Sequence, residues 1–368
     1  MLNENILKND EKAVYSLRSL YRRFGYSRFK MSKFEEYDLY VRNKDFLISD
    51  GIITFTDTNG RLMALKPDVT LSIIKNAKDS VGTVEKLYYN ENVYRISKDS
   101  HSFKEITQTG LECIGDIDVY DVCEVLYLAI KSLESIDENY IVDLAHAGLV
   151  SELINECELD MSVKGKVLDS IQNKSIDEIA SLFEQGSITQ KAYNILSLLM
   201  KTYNSSDEVF SAFNGLSGAA DEKLNEFCEI CRSAEKLDFG SKIKIDFSIV
   251  NTTGYYSGVV FKGYIFDIPT SVLSGGQYDK LMKKMGKSSG AVGFAVYLDA
   301  LERHGIETAD YDYDFVILKD DSCSAAQIIK TVESLSENGF SVIVLSSLDP
   351  NIKYKTLIKM TKDGLEGK

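Results

Sequence analysis

The sequence predicts an α+β fold: a strand-rich core interrupted by a block of helices, then a smaller α/β unit. Three observations carry that reading. Between about residues 40 and 147, apolar and polar residues alternate and turn signals separate the runs. Residues 149–238 instead repeat leucine at helical spacing with almost no strand pattern. After residue 311 the order is strand, helix, strand. At 368 residues, 44% hydrophobic and 27% charged, the chain is long enough for one large core and a small second domain.

The elements follow in chain order. "DEKAVYSLRSLYRRFG" (10–25) places Val14, Leu17, Leu20, Tyr21 and Phe24 on one helical face, with Gly25 as its stop. "IITFTDTNGRLMALK" reads as a hairpin around Asn59-Gly60. "VEKLYYNENVYRI" and "EITQTGLECIG" read as further strands, and a helix fits 118–136. The helical block, about 149–240, reads as an insertion. Strands resume with "KIKIDFSIV" and "GYYSGVVFKGYIFDI". "SGGQYDKL", being glycine-rich, reads as a turn, and "GAVGFAVYLDALERHG" (290–305) as a close backbone approach leading into an amphipathic helix. The expected domains are 1–310, containing the insertion, and 311–368, in which "DFVILK", a helix and "FSVIVL" precede a short polar tail.

Composition excludes several classes. No apolar run reaches the roughly 18 residues of a membrane span, and "MLNENILKNDEK" lacks the layout of a signal peptide. Six scattered cysteines fit reduced thiols and a cytoplasmic location. A net charge of −14 disfavours non-specific nucleic-acid binding. Cys228 and Cys231 form a lone CxxC in helical surroundings, where a structural role is preferred over zinc, which takes four ligands. His146 and His304 stand alone and read as structural, and His101 as solvated surface. No nucleophilic triad or phosphate loop is present, and no metal or cofactor is expected.

Four ordered segments resemble the catalytic core of the histidyl-tRNA synthetase family. They are "LKPDVT" (65–70), "VYRISKDSHSFKEITQTGLECIG" (93–115), "TTGYYSGVVFKGY" (252–264) and "SGGQYDKL…AVGFAVYLDAL". Each is weak alone; the ordered set, spanning about 10–305, is specific. The resemblance implies a class II aminoacyl-tRNA synthetase-like antiparallel sheet of six or seven strands, flanked by helices and built as a homodimer. Ser32, where that family's first motif has proline, departs at the dimer interface.

Carried over residue by residue, the resemblance implies a surviving amino-acid pocket. Asp68 and Thr70 match the residues that hold the substrate ammonium. Gln108 and Glu112 lie on the second-motif strand with Gly110 between them, and a spacing of two and four puts all three on one face. Tyr255 and Tyr256 match the paired tyrosines, one of which contacts the imidazole. Arg95 keeps the first arginine of the second motif. Carboxylates for an ammonium, and neutral hydrogen-bonding groups for an imidazole, suit a small zwitterion such as histidine.

The adenylation machinery is depleted. Forming an aminoacyl-adenylate needs cations on the phosphates as pyrophosphate leaves. Ser97 replaces an acidic residue, Asn251 stands for an arginine before the tyrosine pair, and Ala300 for the third-motif arginine. Arg303, three helical residues on, lies about 4.5 Å along and roughly 300° round, away from the pocket. Losing one such contact costs about 10²- to 10³-fold in rate. A retained pocket without activation resembles the regulatory-subunit family of ATP phosphoribosyltransferase, the synthetase-like paralogs of histidine biosynthesis, as do "LKPDVT", "YYSGVVFKGY" and "DLAHAGL" (143–149). That resemblance implies no catalytic residues, a short-form ATP phosphoribosyltransferase catalytic subunit as partner, a homodimer within a hetero-oligomer, and free histidine as effector. Residues 312–346 resemble the start of an anticodon-binding domain, with too little chain after it to complete one, so no tRNA is expected. An active histidyl-tRNA synthetase or other adenylating enzyme, and an amino-acid sensor with another partner, stay open as alternatives.

Overall fold

A computed structural model describes residues 7–43, 51–78, 82–97, 102–216, 218–237, 239–250, 255–301, 311–361 and 364–367. Two compact units divide the chain at 304/305.

The first unit opens with α1 (Asn9–Arg23), which buries Leu17 and Tyr21 and is followed by Gly25 at φ +84°. After β1 (Ser27–Arg28) come β2 (Phe34–Glu36), α2 (Tyr37–Arg42), β3 (Thr54–Thr56) and β4 (Leu62–Leu65). The expected hairpin is there: β3 and β4 pair antiparallel, Gly60 has φ +80°, and Asp57 Oδ1 accepts from the N–H groups of Asn59 and Arg61, both at 2.8 Å. With β2 they form a three-stranded sheet.

Next come α3 (Val69–Asn76), the long strands β5 (Val84–Ile96) and β6 (Phe103–Gly115), α4 (Val119–Glu134) and β7 (Tyr140–His146). Asp118 and Asp121 cap α4 reciprocally. The insertion contains α5 (Ala147–Glu156), α6 (Met161–Gln172), α7 (Ile176–Glu184), α8 (Gln190–Leu199), the short β8 (Thr202–Tyr203), α9 (Ser206–Ala212) and α10 (Ala219–Glu235). The unit closes with β9 (Ile243–Asp246), β10 (Val259–Ile265), β11 (Leu273–Gln277), α11 (Asp279–Lys284) and β12 (Gly290–Tyr297).

Among the described residues the main sheet has nine strands in the order β1-β5-β6-β12-β11-β10-β7-β9-β8. Its centre is antiparallel as expected, but it is wider than six or seven strands and mixed at its edges. Strand β1 runs parallel to β5, and β9 parallel to β7. The helical insertion explains the second pair, since it is the long crossover that parallel neighbours require. One large core joins α1, α4 and the insertion to the sheet; a smaller one joins α3 and α11 to β5, β6 and β12.

Two local expectations fail. "LSGGQ" is no turn but the interior strand β11, where a Cβ at Gly275 would overlap Phe294 on β12 and Phe261 on β10. Residues 290–297 form β12 rather than the approach to a helix, and 298–301 are a single 3₁₀ turn. Alternation places Val292, Phe294 and Val296 on one face of β12, a pattern the apolar run concealed.

The second unit contains β13 (Tyr313–Lys319), α12 (Ala325–Glu337), β14 (Val342–Leu345), β15 (Tyr354–Thr361) and β16 (Gly364–Gly367). Its four-stranded sheet runs β14-β13-β15-β16, with β15 parallel to β13. The stretch read as a polar tail therefore includes strands: Ile358 and Met360 are buried while lysines alternate outward.

Candidate functional site

The cleft is assembled from the backbone upward. Lys66 and Pro67 cross beneath β5, where Lys66 N–H donates to the Lys33 carbonyl (3.0 Å) and Tyr94 N–H to the Lys66 carbonyl (2.9 Å). Arg95 Nε donates to the Pro67 carbonyl at 3.0 Å. The fully buried Lys66 ammonium is paired with Glu91 at 2.9 Å. These ties fix the residue that follows. Asp68 is the N-cap of α3, its Oδ1 accepting from Leu71 N–H at 2.9 Å.

Asp68 thereby faces Glu112 on β6. Thr70 Oγ1 donates to Glu112 Oε1 at 2.8 Å, and the Tyr278 hydroxyl donates to Glu112 Oε2. Space for this carboxyl comes from Gly293, its register partner on β12, where a Cβ would overlap Glu112 Oε2. At Gly110 the space is filled by the Tyr89 hydroxyl and the Phe294 carbonyl. Tyr255 and Tyr256 close one wall with ring centroids 4.8 Å apart in an edge-to-face arrangement, and Tyr255 lies 6.0 Å from Tyr278. Asp68, Thr70, Arg95, Gln108, Glu112, Tyr255 and Tyr256 all line one cavity of about 290 Å³.

Burial governs its electrostatics. Glu112 is pushed up to about 8 by desolvation, which the Tyr278 and Thr70 hydrogen bonds only partly offset. Burial also raises Asp68, against the pull of the Leu71 N–H and the Arg95 charge. Two acids held together away from water form an acceptor for a cationic group, which would restore their ionised forms.

Sequence reasoning missed Tyr89, Lys262, Ser274, Tyr278 and Tyr297 as contributors to this lining. Tyr278 and Lys262 lie inside the segments singled out, but only strand register shows which way they point. Ala300, in the 3₁₀ turn, packs against the larger core. The cations lining the cavity among the described residues are Arg95 and Lys262. Asn251, Arg303, His101 and His304 lie outside the described residues. His146 caps α5, Nδ1 accepting from Leu149 N–H at 3.0 Å. Cys228 and Cys231 are buried on α10 and burial raises both thiols.

A family model described as histidyl-tRNA synthetase matches residues 2–301. The chain belongs to the histidyl-tRNA synthetase family. Within reach of that family, a Clostridium kluyveri protein named ATP phosphoribosyltransferase regulatory subunit is 28% identical over 336 residues, covering 88% of this chain and 85% of that protein. A crystal structure of an ATP phosphoribosyltransferase regulatory subunit/histidyl-tRNA synthetase from Bacillus halodurans C aligns with TM-score 0.74 at 21% identity, covering 95% of this chain and 93% of the other. The ATP phosphoribosyl transferase (HisG:HisZ) complex from Thermotoga maritima contains a chain that aligns with TM-score 0.62 at 22% identity, covering 81% and 97%. These structures share the class II synthetase-like fold. Among the described residues no helix is long and apolar enough to cross a membrane.

Proposed function

We propose that this chain is a non-catalytic regulatory subunit of ATP phosphoribosyltransferase, acting at the first step of histidine biosynthesis on a short-form catalytic subunit. The observation that carries the reading is that the residues matched to the amino-acid pocket line one cavity, while Ala300, where the resemblance places a cation, packs against the larger core. Activation of an amino acid requires charge on the departing pyrophosphate, which an alanine cannot supply. The relatives' name and the likeness to one chain of the Thermotoga maritima complex support the partner.

In this account free histidine occupies the cleft, its cationic groups against Asp68, Thr70 and Glu112 and its ring among Gln108, Tyr255 and Tyr256. The chain works as a homodimer inside a hetero-oligomer in the cytoplasm and takes no tRNA. Size-exclusion chromatography of the two purified subunits tests the partnership: co-elution at a mass above either component supports it. Separate elution at micromolar concentrations, with histidine present or absent, contradicts it.

A further inference from the structure

Lys262 stands on β10, in the row of cross-strand neighbours that runs through Ser274 on β11 and Ala295 on β12 to Gly110 on β6. Directly opposite pairs share a face of the sheet, so Lys262 faces the same side as Gln108 and Glu112, and it lines the same cavity. Its other register partner is Asp143 on β7. An opposed lysine and aspartate on neighbouring strands are placed to close an ion pair, yet among the described residues Lys262 closes none. Asp246, on the strand beyond, is already paired with Lys174. Lys262 instead lines the cavity wall, where burial lowers its affinity for its own proton and Asp143 only partly restores it.

The cleft is therefore polarised. Acids sit at the β6 end, and a desolvated cation without an ion-pair partner among the described residues sits at the β10 end. Three strand spacings separate the ends, about 14 Å at the backbone. Long side chains narrow that gap from both sides, leaving a cavity of about 290 Å³.

We propose that Lys262 is the specificity-determining residue for the anionic end of the ligand, binding the carboxylate of a zwitterion whose cationic end meets Asp68 and Glu112. This rests on the cleft being the histidine site. It adds that the site selects for a carboxylate and not merely for an imidazole and an ammonium. A bound carboxylate adds to the counter-charge that Asp143 supplies only in part, so the contact is charge-assisted.

Isothermal titration of the full chain with histidine, histidinamide and inorganic phosphate tests this, on the wild type, Lys262→Gln and Lys262→Arg. Thermal melts confirm that each variant folds. Wild type is expected to prefer histidine over its neutral amide by about tenfold or more. Lys262→Gln is expected to abolish that preference while leaving amide binding in place, and Lys262→Arg to keep most of it. Equal affinities for acid and amide in the wild type, or a preference that survives in Lys262→Gln, overturns the role of Lys262 and leaves the histidine site standing. Phosphate binding that is lost in Lys262→Gln, with no histidine binding to any form, supports the anion role and overturns the histidine site instead. No binding of any of the three probes overturns both.

Discussion

Thr70, in the first turn of α3, donates its hydroxyl proton to Glu112 Oε1 at 2.8 Å, joining two segments 42 residues apart in sequence. With the Tyr278 hydroxyl on the other oxygen, the contact holds a carboxyl where water would otherwise solvate it. Glu112 is 2% exposed and its proton affinity is raised to about 8, against an ordinary value of 4.5.

That shift fixes the sign of a pH dependence. The folded state favours protonated Glu112, so its contribution to stability is complete below about pH 4.5 and is lost as pH rises through about 8. Urea unfolding from pH 5 to 9 is expected to show wild type losing several kcal/mol from this group, while Glu112→Gln, neutral throughout, declines much less. Parallel curves for the two proteins would remove Glu112 as the cause.

Much of this site was legible because its residues lie in short segments whose order is itself informative. "LKPDVT", the alternation of Gln108, Gly110 and Glu112, and the tyrosine pair converge on one cavity. What escaped depends on pairing between distant segments. "LSGGQ" has turn-forming composition, yet its glycines serve close approach to Phe294, Phe261 and Tyr256 within the sheet. Residues 290–301 carry apolar residues at spacings that fit helix and strand alike, and only pairing with Glu112, Gly110 and Gln108 decides for strand. The lysine-rich 353–361 segment looks polar because one face of β15 is exposed. The two edge strands of the main sheet, β1 and β8, are two residues long each, too short for a periodic signal.

Gly293→Ala is expected to strike the same carboxyl from the opposite strand. The added methyl would overlap Glu112 Oε2 and the Leu111 carbonyl, so either a strand or the carboxyl must move. Destabilisation of about 2–3 kcal/mol, typical of overpacking, is expected together with loss of histidine binding. Urea melts and calorimetry check the two effects; wild-type values in both would show that the cleft is wider than described.

Removing the partner of Lys66 should also be costly. The ammonium is fully buried, burial lowers its proton affinity, and Glu91 is its contact at 2.9 Å. Glu91→Ala leaves an unpaired buried cation, with an expected loss of about 3 kcal/mol or more in denaturant unfolding. Lys66→Met with Glu91→Leu should recover much of that loss, because apolar packing avoids the desolvation cost. A single mutant as stable as wild type would mean that Lys66 reaches water.

Ala300→Arg is expected to leave histidine-dependent ATP–pyrophosphate exchange undetectable. Position 300 packs against the larger core, and Asn251 still stands where the resemblance places another arginine. Exchange at a rate typical of synthetases, in the variant or in the wild type, would contradict a non-catalytic chain.

The central claim, that this chain regulates a short-form ATP phosphoribosyltransferase, is tested most directly by the rate of phosphoribosyl-ATP formation by purified catalytic subunit. The measurement is made with and without this chain, and with and without histidine. A faster rate is expected when this chain is added, with a histidine-dependent fall in the rate of the complex. A coupling of about 1–3 kcal/mol would change apparent histidine affinity roughly 5- to 150-fold between the free chain and the complex. A rate unchanged by this chain across a titration to excess, and indifferent to histidine, would contradict it.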